Sequence, residues 1–575
     1  MTVPGDKSIS HRALLSCLVA DHDVRLAGIN PGGAVRALFE PLQQLGLDIV
    51  QADGERVVRR ASAGEPMPRL YVGGSSAAAR LLIGLLTGLG RTAVVDGDAI
   101  LRRRPMDWLV DPLRELGARI EYLGAEGCLP LAVHGPVDRG GTVDLRVGSA
   151  QARAGVVLAV VAAGLPATVR YPVLSRDHTE RMLASFGAGL AWNDRELVHR
   201  PAPVIVPHRI EVPGDPSLAA YPAAAHLLRR GAGPLRLTGI GLNPTRLGFF
   251  DVLREAGAGI RYEDRVLCHG EPVGTIVVDG GPQRLRPVAV DDPHTLHALI
   301  DEVPLLAAVA ATVPGTSRIG CAGELSFKET DRLVTTAEML RPFGAEVTAD
   351  AATVTVTGGG PLRPAPTDSF GDHRIAMAAA TLAAGLGGTS RVRGGTCHET
   401  SFPEFIEVLA KMGVDVTADA GATTLRGLRE SDYPEVIGQL ERWWDGRPVT
   451  AMLPRLFFRH FADTSVVAEQ DGRVAGFLIG ILSPSVPGEA HAHFIGVDPA
   501  LRGAGLGRRL YEWYFALARQ HGRRTVTAVT SVGNTDSQAF HRALGFEPVA
   551  APGGGTVWAD WDGPGHDRVR LERAL

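Results

Sequence analysis

Lys7, Ser8 and Arg12 stand in one polar stretch, Pro4-Gly-Asp-Lys-Ser-Ile-Ser-His-Arg12, that reads as the start of a helix. Free backbone N–H groups, the positive end of the helix dipole and two cations suit a phosphate or a carboxylate. A capping serine and a surface arginine would account for the same residues. Arg102-Arg-Arg-Pro105, which contains Arg104, and Ser149-Ala150-Gln151 add anion and hydroxyl ligands. Ser175-Arg176-Asp-His-Thr-Glu-Arg181 opens another helix. Further on come Asp301-Glu302, Lys328-Glu329-Thr-Asp-Arg332 and Gly371-Asp372-His-Arg374. Each cluster alone is weak. Together they describe a cationic cleft with a few carboxylates, fit for small, multiply anionic substrates and for acid–base work with electrostatic stabilisation. Only three of the 59 basic residues are lysine, at positions 7, 328 and 411. Lysine offers a compact charge and a pKa that burial can lower, so Lys7 and Lys328, inside polar motifs, read as functional, and Lys411, on a helix end, as surface. No serine elbow, metal quartet or dinucleotide glycine fingerprint occurs in this part.

The elements that must position these groups repeat. Six amphipathic stretches close on glycine and turn strand-like: QQLGLDIV, RELGARIEY, ASFGAGLAW, REAGAGIRY, RPFGAEVTA and AKMGVDVTA. The glycines are Gly46, Gly117, Gly187, Gly257, Gly344 and Gly413, spaced 71, 70, 70, 87 and 69 residues apart. A helix ending on glycine uses the left-handed conformation that glycine adopts cheaply, and the alternation that follows predicts a strand. Val3-Pro-Gly-Asp-Lys-Ser8 recurs as Val212-Pro-Gly-Asp-Pro-Ser217, half the array away. This predicts two lobes of three α/β units facing a cleft, one over about 7–212 and the other over 1–6 plus 213–422. A segment of different character, 425–575, follows a joint near 420–428.

Composition bounds the rest. The chain has 575 residues, 45% hydrophobic and 21% charged, with a net charge of −4. It exceeds one core and predicts several domains, and it has no basic excess for nucleic acid or membrane surfaces. Five scattered cysteines without a CxxC pair predict a reducing cytoplasm and no zinc site. The apolar run Ala154 to Val169 is too short for a membrane span and predicts a buried helix.

PGDKSISHRAL, RRPM, SAQ, SRDHTERML, NPTR, IDEVPLLA, KETDR, FGDHRIAM and TSFPEF occur in this order over residues 1 to about 420. In these motifs the chain resembles the enolpyruvyl transferase family, and within it the 5-enolpyruvylshikimate-3-phosphate synthases. The resemblance implies a two-lobed inside-out α/β barrel of six βαβαββ units. It implies enolpyruvyl transfer from phosphoenolpyruvate to the 5-hydroxyl of shikimate 3-phosphate, without metal or cofactor. By matching motifs, Lys7, Ser8 and Arg12 would grip the substrates, and Ser149, Ala150, Gln151, Ser175 and Arg176 would hold shikimate 3-phosphate. Arg104, Arg332 and Arg374 would clamp phosphoenolpyruvate, with Arg80 and Asp372 nearby. Asp301 and Glu329 would move protons, with Lys328 beside them. The chain departs from the family where Gly73-Gly-Ser-Ser-Ala77 replaces a Gly-Asn-Ser/Ala-Gly-Thr loop: an amide is lost at Gly74 and a side chain appears at Ser76. Asn30-Pro-Gly-Gly33 replaces an aspartate-containing loop, and Thr400 stands where many members have lysine. The altered loop leaves two other readings: a transferase acting on another hydroxyl, and a ligand-binding module scaffolding the C-terminal segment.

In that segment Ala492-His-Phe-Ile-Gly-Val497 alternates like a strand and leads into Asp498-Pro-Ala-Leu-Arg-Gly-Ala-Gly-Leu-Gly507 and a helix. A glycine loop capping a helix suits a pyrophosphate. With Asn534-Thr-Asp-Ser-Gln-Ala-Phe-His-Arg-Ala-Leu-Gly-Phe546, the segment resembles the GCN5-related N-acetyltransferases (GNAT), of mixed α/β fold. This implies acetyl-CoA bound through Val497, Arg502, Gly503, Gly505, Gly507 and Asn534, and an acceptor amine that nothing identifies. Many members have a tyrosine to protonate the departing thiolate; here His541 follows the phenylalanine, as that acid or as a surface residue. His491 and His493 are candidate bases.

Overall fold

A computed structural model describes the chain except residues 62–66, 99, 230–232, 281–283, 418–422, 445–446, 448, 471–472, 503–504 and 564. It divides into two compact units, Met1–Ala418 and Asp419–Leu575.

In the first unit all six closing glycines have positive φ, from +76° at Gly413 to +111° at Gly257. The helix stops there and the chain turns back. Strands follow at Leu47–Ala52, Arg119–Tyr122, Gly189–Trp192, Ile260–Cys268 and Glu346–Ala349. Each pairs antiparallel with the next strand, as Leu47–Ala52 does with Glu55–Arg60. The sixth copy departs from expectation, since residues 414–417 form no strand. The next strand along the chain, Thr424–Gly427, lies in register with Val466–Gln470 in the second unit's sheet. Among the described residues, 414–417 therefore have no ladder partner, and the sixth sheet keeps only Pro366–Asp368 and Arg391–Arg393.

Two cores form the lobes. One gathers buried residues from Ile9 to Val212, the other from Leu218 to Leu409, with Met1 and Val3 packed on it. The chain thus crosses between lobes twice, and the crossings pair: Asp6 N donates to Pro213 O (2.7 Å) and Asp215 N to Pro4 O (2.9 Å).

Three buried helices run through each lobe: Lys7–Ser16, Ser76–Leu89 and Ala150–Ala163 in the first, Pro216–Leu228, Val303–Ala310 and His373–Gly385 in the second. In five of them small and apolar residues predominate and let them pack closely, whereas Lys7–Ser16 also buries Ser10, His11 and Arg12. At Gly84 a Cβ would come within 2.1 Å of Gly155 O, so only glycine permits that approach. The apolar run 154–169, expected as one helix, is divided: the helix stops at Gly164 (φ +64°) and Ala167–Arg170 is a strand.

The second unit is one sheet. In spatial order its main strands are Thr424–Gly427, Val466–Gln470, Arg473–Leu482, Glu489–Val497, Thr525–Ser531 and Arg568–Ala574. Glu489–Val497 and Thr525–Ser531 are parallel and pair only from Glu489 to Ala492, beyond which they part. Helix Leu506–Gln520 packs on one face of the sheet, and Tyr433–Trp443 and Leu456–His460 on the other. No helix among the described residues is long and apolar enough to cross a membrane.

Candidate active site

The candidate residues of the first unit cluster at the N-termini of the six buried helices. Asp6, Ser75, Ser149, Asp215 and Asp372 cap five of them, accepting from Ile9, Ala78, Ala152, Ser217 and Arg374 N. Asp301 and Glu302 immediately precede the sixth, Val303–Ala310. Lys7, Ser8 and Arg12, then Ser76 and Arg80, then Ala150 and Gln151, and finally Arg374 lie in the opening turns. Helix N-termini favour anions, and six of them here add to the side-chain cations.

The two lobes touch through these groups. Arg176 Nη2 donates to Asp301 Oδ2 (2.6 Å). Arg104 Nη2 lies 3.4 Å from Glu329 Oε1; within the second lobe, Arg374 Nη2 lies 3.9 Å from Asp301 Oδ2. Arg332, expected as a clamp, spends its donors on carboxylates: Nε on Asp372 (2.7 Å), Nη1 on Asp301 (3.0 Å) and Nη2 on Glu329 (2.5 Å). Arg104 and Arg374, by contrast, are buried yet keep guanidinium nitrogens with no hydrogen-bond partner among the described residues. Lys328 donates to Glu324 (3.2 Å) and is close enough to Asp301 to act on its carboxylate. Arg12 is held by Thr179 Oγ1 and Ser8 O (both 2.7 Å), and Ser175 Oγ accepts from Arg153 (3.2 Å).

The charges are strongly coupled. Burial alone would raise the Asp301 carboxyl, but Arg176, Arg374, Lys328 and Arg332 hold it well below the usual carboxylate range. Glu329 is likewise held down against burial, by Arg332, Arg104, His373 and Lys7. Burial and Arg374 lower the Lys7 ammonium, with Asp301, Glu329 and Asp215 opposing. Burial raises the Glu302 carboxyl.

The altered loop is built into this network. Ser76 Oγ donates to Gln151 Oε1 (3.0 Å), and Arg80 Nη1 donates to the same oxygen (2.6 Å). The Gln151 amide is therefore fixed, with its NH2 turned away from both. At Gly74 a Cβ would stand 2.8 Å from Asp98 Oδ2, so a larger residue would have to displace that side chain.

Sequence reasoning missed the joint beneath the site. Arg246, from NPTR, donates to Asp6 (2.5 Å) and Asp215 (2.7 Å), the aspartates of the two VPGD copies. His178 bonds Glu271 (2.7 Å) and Arg153 bonds Glu180 (2.6 Å), all buried. The repeated VPGD was a signal for the aspartates but not for their shared partner.

In the second unit Val497 ends its strand, and Gly505 (φ +81°) opens helix Leu506–Gln520, with open space among the described residues where a Cβ would stand. At Gly507 a Cβ would meet the Phe540 ring at 2.9 Å. Gly503 lies outside the described residues. Arg502 is tied to the carbonyls of Val497 and Trp443, so it braces the loop. Asn534 caps the next helix by accepting from Ser537 N (3.2 Å). His541 is not a surface residue. It is buried, with Nδ1 on Ser537 O and Nε2 on Tyr511 Oη (both 2.7 Å), because the helix turns it into the Tyr511–Phe546 aromatic cluster. Among the described residues no group of three metal-ligating side chains occurs.

Residues 1–409 match the sequence model of the family described as EPSP synthase (3-phosphoshikimate 1-carboxyvinyltransferase), and residues 426–546 match that of the acetyltransferase (GNAT) family. The 3-phosphoshikimate 1-carboxyvinyltransferase of Synechococcus sp. (strain WH7803) is 39% identical over 421 residues, which cover 72% of this chain and 95% of the relative. That of Herpetosiphon aurantiacus is 37% identical, covering 72% and 96%. The solved EPSP synthase of Acinetobacter baumannii superposes with a TM-score of 0.64 at 30% identity, covering 72% of this chain and 95% of that one. The enolpyruvyl transferase NikO of Streptomyces tendae shares the fold, with a TM-score of 0.57 at 20% identity.

Proposed function

The chain belongs to the EPSP synthase family, and from that premise we propose that it transfers the enolpyruvyl group of phosphoenolpyruvate to the 5-hydroxyl of shikimate 3-phosphate, releasing phosphate. One observation carries the reading: Arg104 and Arg374 are buried with donors left unpartnered. Buried donors without acceptors are costly, and the phosphate and carboxylate of phosphoenolpyruvate supply acceptors. Ser8, Arg12, Ser149, Gln151, Ser175 and Arg176 hold shikimate 3-phosphate, an engagement that draws Arg176 away from Asp301. The ionised Asp301 then takes the proton of the 5-hydroxyl. Glu329 serves the enol methylene. An anion against Arg104 weakens its hold on Glu329 and raises the proton affinity of that carboxylate, which suits it to deliver a proton to carbon. Lys7 and the helix termini stabilise the charge that shifts as the hydroxyl attacks. The product feeds aromatic amino-acid biosynthesis, a cytoplasmic route.

Residues 426–546 carry a second activity in this reading, acetyl transfer from acetyl-CoA to an amine. The N-terminus of helix Leu506–Gln520, with Gly505 and Gly507, receives the pyrophosphate.

Purified protein mixed with both substrates is expected to release phosphate at an ordinary enzymatic rate, and Lys7→Met to abolish it. Absence of release from the unaltered chain would overturn the first activity. Turnover only with a different hydroxyl compound would favour the diverged-acceptor reading.

A further inference from the structure

The face of the second unit's sheet away from helix Leu506–Gln520 gathers a base, a cation and an apolar wall. Beyond Ala492 the strand Glu489–Val497 has no partner among the described residues on the side of Thr525–Ser531. From Val497, beside the glycine loop, to His493 is about 13 Å at roughly 3.3 Å per residue. An extended arm bearing amides can pair with such a free edge. A thioester anchored by its phosphates at the loop therefore ends near His493.

His493 is the extra residue of a β-bulge, since Ile479 pairs with Phe494 and Gly480 with Ala492. Bulges re-aim a side chain. The His493 ring stacks on Phe457 at 4.2 Å, and its Nε2 lies 3.1 Å from Met452 O. A carbonyl can only accept, so Nε2 carries the proton and Nδ1 keeps its lone pair. Burial lowers the ring's proton affinity, which keeps it neutral.

Register puts Arg570 on the same face. His491 pairs with Thr527 and Arg570 with Val529, and residues two apart on a strand share a face. Val526, Ala528, Val569 and Leu571 point the other way, into the core shared with helix Leu506–Gln520. The Arg570 guanidinium lies 4.7 Å from the ring of Trp558 and 4.7 Å from that of Trp561. Among the described residues it makes no hydrogen bond or ion pair, whereas Arg568 is paired with Asp562 (2.7 Å). A guanidinium held between two indole rings that stand edge to face is preorganised for a carboxylate. Exposed Met452 and Leu456 flank Phe457.

Resting on the acetyltransferase reading, we propose that the acceptor is a small amine that also bears a carboxylate, an α-amino acid with an apolar side chain, with His493 as its base and Arg570 as its carboxylate ligand. The ammonium gives a proton to His493 Nδ1. The nitrogen lone pair forms the C–N bond at the thioester carbonyl, the C–S bond breaks, and sulfur leaves with the electron pair. A second nitrogen proton neutralises the thiolate, giving amide and free thiol, and His493 returns its proton to solvent.

The full chain is tested by calorimetry with acetyl-CoA and by thiol release with L-phenylalanine, L-methionine and 2-phenylethylamine, the last lacking the carboxylate. The amino acids are expected to exceed the plain amine by at least about tenfold in kcat/KM, the worth of one charge-assisted pair. Arg570→Leu should raise KM for phenylalanine by about as much and leave 2-phenylethylamine unchanged. His493→Gln should lower kcat by about 100-fold or more while the acetyl-CoA Kd stays within about twofold. Preference for the plain amine, equal effects of Arg570→Leu on both, or acetyl-CoA binding without transfer to either amino acid would overturn the proposal. Failure of the unaltered chain to bind acetyl-CoA would overturn the acetyltransferase reading and this inference with it.

Discussion

Arg176 Nη2 and Asp301 Oδ2 meet at 2.6 Å, first lobe to second, with Arg332 on the other carboxylate oxygen at 3.0 Å. Asp301 is thereby kept ionised far below neutral pH. Removing Arg176 withdraws a positive neighbour and raises the pKa of the carboxyl. In Arg176→Ala the acid limb of the pH profile of kcat/KM should therefore move upward, by about one unit or more. Asp301→Asn, which cannot take a proton, should lower kcat by roughly 10² to 10⁴. An acid limb that stays in place in Arg176→Ala would mean that Asp301 does not set it.

Ser76 adds a methylene and a hydroxyl at the first turn of its helix, and the hydroxyl fixes the Gln151 amide. Ser76→Gly opens that space and releases one of two hydrogen bonds to Gln151 Oε1. Losing one hydrogen bond of about 1 kcal/mol allows a change of roughly fivefold in KM for either substrate. An inhibitor longer than phosphoenolpyruvate, such as a phosphonate with an extra chain atom, gains more from the space. Its inhibition constant should fall more than KM for phosphoenolpyruvate does. Equal changes in the two constants would show that Ser76 acts through Gln151 alone.

Much of this architecture was legible because the constraint was local. Gly46 to Gly413 each need a left-handed residue at a helix end, and that need is written one residue at a time. The paired VPGD segments were legible because Asp6 and Asp215 do the same job, capping a helix. What escaped depended on distant partners. Residues 414–417 alternate as the other copies do, but strand formation needs a neighbour, and Thr424–Gly427 pairs elsewhere. Arg332 looked like a substrate clamp in KETDR, yet its donors are claimed by Asp301 and Asp372, 31 and 40 residues away. His541 is turned inward by packing on Tyr511, which its own neighbours in sequence do not specify.

Arg246 holds Asp6 and Asp215 together at the double crossing between lobes, and all three are buried. Truncating it leaves two buried carboxylates without their counter-ion, a loss of about 3–5 kcal/mol. Arg246→Met should therefore lower the urea midpoint of the first unit's transition markedly. Arg209→Met, at a pair half-exposed on the surface, should cost about 1 kcal/mol or less. Similar midpoints for the two variants would show that the joint contributes little.

His11 and His373 are two of the buried histidines whose lowered proton affinity brings on acid instability. Burial pushes His11 down to about 4, although its Nδ1 sits on Lys7 O, and burial with Arg374 pushes His373 down to about 3. In the unfolded chain both return to about 6.5. Below that pH the unfolded state binds more protons than the folded one, so stability present above pH 6.5 is lost as pH falls. Between pH 6.5 and 5 each histidine removes about 2 kcal/mol. Asp6, Asp301 and Glu329 have depressed pKa values, so their contribution persists until pH drops below the ordinary carboxylate range. The decline should therefore have two stages, one due to histidine below pH 6.5 and one due to carboxylates below about 4.5. Urea midpoints measured from pH 7.5 to 4 would resolve them. His11→Gln with His373→Gln should make the first stage shallower and leave the second. A first stage of unchanged depth in that double variant would assign it to other groups.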